Sequence, residues 1–179
     1  IAQTAVGGVL LLANKDFPAR NLRELVDYAR ANPGLTYGTW GIGSSGHLVM
    51  EWLKRQAGVD MVHVPYRQTP QLLGELSSGV LRVGWADPGS PVPFIESGRI
   101  RGIAISGNVR VPRTPDIATM GEQGYPFEAV GWFGLFAPAG IPPAIVERLS
   151  AEVNRFQRRP EVAARMAALN FEPPPVKTP

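Results

Sequence analysis

The sequence contains no cysteine, which excludes disulfide staples, thiolate catalysis and cysteine-rich metal sites. It is compatible with an oxidising compartment without pointing to one. It lacks any uninterrupted apolar run of the ~20 residues that a membrane-spanning helix needs. Its two histidines, His47 and His63, stand in no repeated spacing with carboxylates, so no metal and no cofactor is expected. Runs of one charge are absent too: 18 Lys and Arg against 15 Asp and Glu leave a net charge of +3 with no basic track, and no nucleic-acid partner is expected. The densest basic group, Arg155, Arg158 and Arg159, reads as a solvated helix face. An initiator methionine and a basic start followed by an apolar leader are also missing from the opening Ile1. The expectation is a processed product or a fragment.

What is present is a globular composition, with 44% hydrophobic and 18% charged residues in 179, enough for one domain with a core or one domain and part of another. Val9 to Ala13 reads as the opening strand. Asn21 caps a helix whose Leu22, Leu25, Val26 and Ala29 form an apolar stripe, with Glu24 returning the bond at the third position. Leu35 to Thr39, Met61 to Val64, Leu81 to Ala86 and Ile100 to Ile105 read as further strands. Helices at about 44–57, 69–77 and 92–97 separate them. This alternation predicts an α/β fold with a mostly parallel sheet flanked by helices, and ligands outside the carboxyl ends of its strands. Residues 108–130 are polar and proline-punctuated, a candidate interdomain crossing. After it, Gly131 to Ala137 reads as a strand of a different unit, and Pro142-Pro143 opens a helix with a stripe of Ile145, Val146, Leu149, Val153 and Phe156 expected to be buried.

The chemistry concentrates at Gly41-Ile42-Gly43-Ser44-Ser45-Gly46-His47, between a strand and a helix. The segment satisfies G-x-G-x-x-G, so dinucleotide binding is one reading. Glycines let the backbone approach an anion, and the unpaired amides and dipole of a helix start favour negative charge. The acidic residue that would hold the adenine ribose should end the next strand, but Asp60 stands before it and Val64-Pro65-Tyr66 ends it. The anion-binding half therefore stands without the ribose half, and the loop reads as a cradle for a small carboxylate around Gly43, Ser44 and Ser45. A purely structural turn is the alternative. His47 either donates to a ligand or braces the loop. Tyr66 and Arg67 follow a strand end on the same rim, as ligand contacts or as a packed ring and a solvated cation. Asp87 accepts from a ligand amine or hydroxyl, or caps the short helix after it. Neither serine lies in a G-x-S-x-G elbow and no carboxylate pair is set for acid and base work, so binding without turnover is the economical reading.

Tyr37-Gly38-Thr39-Trp40-Gly41-Ile42-Gly43-Ser44-Ser45-Gly46-His47-Leu48, His63-Val64-Pro65-Tyr66-Arg67, Gly98-Arg99-Ile100-Arg101-Gly102-Ile103-Ala104 and Trp132-Phe133-Gly134-Leu135-Phe136-Ala137-Pro138 together resemble the tripartite tricarboxylate transporter substrate-binding proteins, also called Bug receptors. The resemblance implies a periplasmic-binding-protein-like fold of two α/β domains with a carboxylate, or an amino acid, between them, no enzymatic activity, and delivery to membrane transporter subunits from the periplasm. It implies that 1–107 supplies most of the second domain, that 108–130 is the crossing, and that 131–179 returns to the first. The first domain's N-terminal segment would be missing here and would pack on 131–179. Ser44, Ser45 and His47 would lie on the carboxylate loop, Tyr66 and Arg67 on a further rim loop, and Asp87 on the side that reads the distal end of the ligand.

Overall fold

The computed structural model describes residues 1–175, so the end of the 131–179 segment lies outside the described residues. In chain order the elements are β1 (Ala2–Gly7), β2 (Leu10–Asn14), α1 (Leu22–Ala31), β3 (Leu35–Thr39), α2 (Ser45–Ala57), β4 (Met61–Pro65), α3 (Thr69–Ser78), β5 (Val83–Ala86), α4 (Val92–Glu96), β6 (Ile100–Ile105), β7 (Gly131–Leu135), α5 (Pro143–Gln157) and α6 (Pro160–Ala168). Five of the strands form one sheet in the order β4-β3-β5-β2-β6.

That sheet is mixed. β3 runs parallel to β4 and to β5, as the alternating pattern predicts, but β2 runs antiparallel to both β5 and β6. The cause is the point of entry. The chain comes in through Gly7-Gly8, so Leu10 lies opposite Ala86 and Ile105, where the neighbouring strands finish. The close approach needs glycine: a Cβ on Gly8 would stand 2.3 Å from the Ser106 carbonyl oxygen. Once inside, β2 is covered on both faces and all five of its residues are buried. Leu11 and Ala13 point into the core shared with α1 and α2, and Leu10 and Leu12 into the one shared with α3, following the two-residue period of a strand.

The α1 stripe is buried as its spacing predicts, and Asn21 Oδ1 accepts from Glu24 N at 2.9 Å. Glu24 returns its bonds to Arg20 N and to the Asn21 side chain. Arg110 forks onto the Glu122 carboxylate within residues 108–130, at 2.9–3.1 Å, and with the Thr119 amide holds that carboxyl down at about 2.

Two expectations are corrected. A strand forms at Ala2–Gly7, where none is anticipated, and pairs antiparallel with β7 in a separate two-stranded sheet; the first seven residues thus pair with 131–135 and not within the sheet of the 1–107 segment. The α5 stripe is not buried in this chain: Ile145, Leu149 and Phe156 are exposed, and the buried residues of α5 are Ser150 and Gln157, the latter donating to the Gln3 carbonyl at 3.0 Å. The helix lies on the narrow β1–β7 ribbon, which is too small to cover a full apolar face.

Candidate functional site

β3 and β5 are parallel neighbours, so Thr39 and Ala86 end at one edge of the sheet, and the loops that leave them face each other. After Thr39 the chain turns through Gly41 and Gly43, both at positive φ (134° and 78°). It then enters α2 with Ser44 as N-cap, whose hydroxyl accepts from His47 N at 3.3 Å. Gly46 is set by packing: a Cβ there would come within 2.7 Å of the Trp85 side chain. The loop hangs on Thr39 Oγ1, which takes the Gly41 amide at 3.2 Å and the Ser44 hydroxyl at 3.3 Å and lies 2.7 Å from His63 Nε2.

His47 turns back on this loop. Its Nδ1 accepts from Gly43 N at 3.2 Å and its ring stacks on His63 with centroids 4.2 Å apart. Burial, and then the neighbouring His47, lower the His63 pKa below the ordinary histidine value. Below the pair, Glu51 accepts from the Tyr37 hydroxyl and from Lys54 Nζ, each at 2.6 Å. Burial would raise the Glu51 carboxyl, but the two donors outweigh it and hold it low, while burial and the Glu51 bond push the Tyr37 phenol up. These contacts make the carboxyl edge of β3 and β4 a braced polar layer under the loop.

The remaining rim candidates diverge. Tyr66 is buried and donates to the Glu75 carboxylate; burial and that bond push its phenol up to about 12. Arg67 is exposed. Asp87 follows β5 and its Oδ1 accepts from Gly89 N at 3.0 Å and Ser90 N at 2.8 Å.

A cleft of about 690 Å³ opens beside these loops, a volume in the range of small-molecule sites. Of the seven residues singled out in the sequence, Ser45 and Asp87 line it; Gly43, Ser44, His47, Tyr66 and Arg67 do not. Four aromatic residues, Trp40, Trp132, Phe133 and Phe171, also line it. The sequence pattern does not single these out as site residues, because they come from three distant segments and only the fold gathers them. The available signal is the Gly131-Trp132-Phe133-Gly134 segment, whose two aromatics are 56% and 55% exposed on a strand. Among the described residues the Ser45 hydroxyl makes no hydrogen bond, and it opens on the cleft from the first turn of α2. This arrangement can take an anion at one end and apolar surface beside it. The dinucleotide reading lacks its second half in space as well as in sequence. Asp60 precedes β4 at the opposite edge of the sheet, where its carbonyl accepts from Gly34 N. Among the described residues no group of three or more His, Cys, Asp or Glu could hold a metal ion, and no helix is long and apolar enough to cross a membrane.

Comparison with known proteins agrees with the resemblance read in the sequence. A family model described as the tripartite tricarboxylate transporter family receptor matches residues 1–177. A UPF0065 protein of Bordetella pertussis is 35% identical over 162 residues, covering 89% of this chain and 50% of that one. MatC of Rhodopseudomonas palustris with bound malate superposes with a TM-score of 0.90 at 32% identity, over 97% of this chain and 60% of its own. Rpa4515 of R. palustris with adipate superposes with a TM-score of 0.89 at 31% identity, over 96% and 58%. The chain thus spans about half the length of the curated relatives it matches.

Proposed function

The chain belongs to the tripartite tricarboxylate transporter family of receptors, and from that premise we propose that the protein containing it is a periplasmic solute-binding receptor that captures a small organic carboxylate and delivers it to membrane transporter subunits, without chemical turnover. The observation that carries this reading is the Ser45 hydroxyl at the first turn of α2, without a hydrogen bond among the described residues and on the wall of the 690 Å³ cleft beside the carboxyl ends of β3 and β5. The Ser45 hydroxyl and the free amides of a helix start suit a carboxylate's oxygens. Ser44, Gly43 and His47 hold the loop in shape around it; Tyr66 braces the rim through Glu75, and Arg67 draws anions toward it.

In this reading the five-stranded unit up to residue 107 is one lobe, 108–130 is the crossing, and the β1–β7 ribbon with 136–179 belongs to the other lobe. The exposed apolar face of α5 is covered by the part of the protein that corresponds to the other half of the relatives. The ligand then sits between lobes, and its release follows their opening.

Calorimetric titration of the full-length protein against a panel of organic acids and a nicotinamide dinucleotide tests the reading. Saturable binding of at least one carboxylate is expected. Binding of the dinucleotide alone would sink it.

A further inference from the structure

The wall of the cleft that Ser45 lines carries a second feature. Asp87 leaves β5 with Oδ1 fixed by the amides of Gly89 and Ser90, at 3.0 and 2.8 Å, and among the described residues its other carboxylate oxygen has no partner. The turn that presents it is held from behind. Asn170, buried at 3% exposure and at positive φ (58°), donates through Nδ2 to the Pro88 carbonyl at 2.8 Å and accepts from Arg113 N at 3.2 Å. Gly89 sits so close to the Leu169 carbonyl oxygen that a Cβ would come within 2.5 Å. Asp87 is therefore a preset acceptor, not a mobile surface acid.

The charge around it is not balanced. Arg113 also lines the cleft, but its guanidinium is engaged: Nη1 donates to the Ala168 carbonyl at 3.1 Å and Nη2 to Glu96 at 2.6 Å. Asp87 is thus the one uncompensated charge on the cleft wall among the described residues, set against Trp40, Trp132, Phe133 and Phe171. An apolar surround strengthens what a carboxylate does to a neighbour: it attracts a cation and repels an anion more than it would in water. Flat aromatic walls favour a flat apolar body.

Resting on the receptor reading above, we infer that the ligand is a zwitterion with an aromatic or similarly broad apolar body, its carboxylate at Ser45 and a cationic nitrogen at the free oxygen of Asp87. Asp87 then acts by exclusion as well as attraction, because the second carboxylate of a dicarboxylic acid would face a fixed negative charge with no available cation beside it among the described residues.

Two probes of one shape separate these cases: 4-(aminomethyl)benzoate, with an ammonium opposite its carboxylate, and terephthalate, with a second carboxylate there. Calorimetry on the full-length protein should show 4-(aminomethyl)benzoate binding at least tenfold tighter than terephthalate, and Asp87→Asn, which keeps an acceptor for the Gly89 and Ser90 amides, should collapse that ratio. A wild-type preference for terephthalate, or for adipate or malate over the aminated probe, overturns the zwitterion assignment while leaving carboxylate binding intact; so does an unchanged ratio in Asp87→Asn. If no carboxylate binds at any concentration, the receptor reading itself fails and the assignment goes with it.

Discussion

α1 and α5 are both amphipathic helices with a clean apolar stripe, yet one stripe is buried and the other is not. Leu22, Leu25, Val26 and Ala29 are sealed against the five-stranded sheet, whereas Ile145, Leu149 and Phe156 face outward from the β1–β7 ribbon. The same periodicity, read by the same rule, marks the face that must be covered in both cases. It does not say what covers it. A five-stranded sheet offers two broad faces, and a two-stranded ribbon offers too little area to seal a helix.

The sharpest way to break this comparison is to replace Ile145, Leu149 and Phe156 together by serine, both in the chain of residues 1–179 and in the full-length protein. Fully buried side chains of this kind contribute roughly 1.5–3 kcal/mol each. Denaturant unfolding should show a loss of several kcal/mol in the full-length protein and almost none in the short chain. Equal effects in both would mean that nothing outside this chain covers the stripe.

Leu11→Ala tests the other side of the contrast. Leu11 is fully buried on β2, an interior strand of the five-stranded sheet, so a loss of about 2–5 kcal/mol is expected from transfer and cavity terms together. Because β2 is complete within residues 1–179, the loss should be the same in the short and full-length proteins.

Ser44 and Ser45, adjacent and chemically identical, should separate. Ser44→Ala removes the N-cap and should cost about 0.5–2 kcal/mol of stability. Ser45→Ala should leave the unfolding midpoint unchanged and weaken carboxylate affinity by on the order of tenfold, as loss of a hydrogen bond to a charged group does. The reverse pattern would move the ligand off Ser45.

The smallest effect concerns His63. Its folded pKa lies below its unfolded value of about 6.5, because burial and then His47 oppose its charging. The unfolded chain binds the proton more tightly, so the stability present above pH ~6.5 falls as pH drops from there through the folded value. A urea midpoint followed between pH 8 and pH 5 should decline, and His63→Gln should flatten the decline. An unchanged slope would assign the acid sensitivity elsewhere.

How far the site was legible follows the reach of each signal. The Gly41–Gly46 turn, the Ser44 cap and the start of α2 are local, set by backbone freedom and by side chains within a few residues, and they stand where the pattern puts them. Asp87 is legible as a polar residue at a strand end, but its free oxygen depends on Gly89 and Ser90 taking the other one. Tyr66 has the right address and the wrong direction for a contact in the cleft. Nothing local in Val64-Pro65-Tyr66 announces that Glu75, on the next helix, takes its hydroxyl. The aromatic wall was the least legible, because Trp40, Trp132 and Phe171 meet only when β7 and the end of α6 come back beside β5.

Sequence alone determined the element types after β1, the buried stripe of α1, the anion-suited helix start and, through its combined segments, the receptor family. Those depend on spacing, propensity and short-range bonds, which travel with the chain. Only the tertiary structure decided the antiparallel course of β2, the separate β1–β7 ribbon, the exposure of the α5 face and the meeting of Ser45 and Asp87 on the wall of one cleft. Each depends on where the chain re-enters the fold and on which distant backbone it meets, and no residue carries that information by itself.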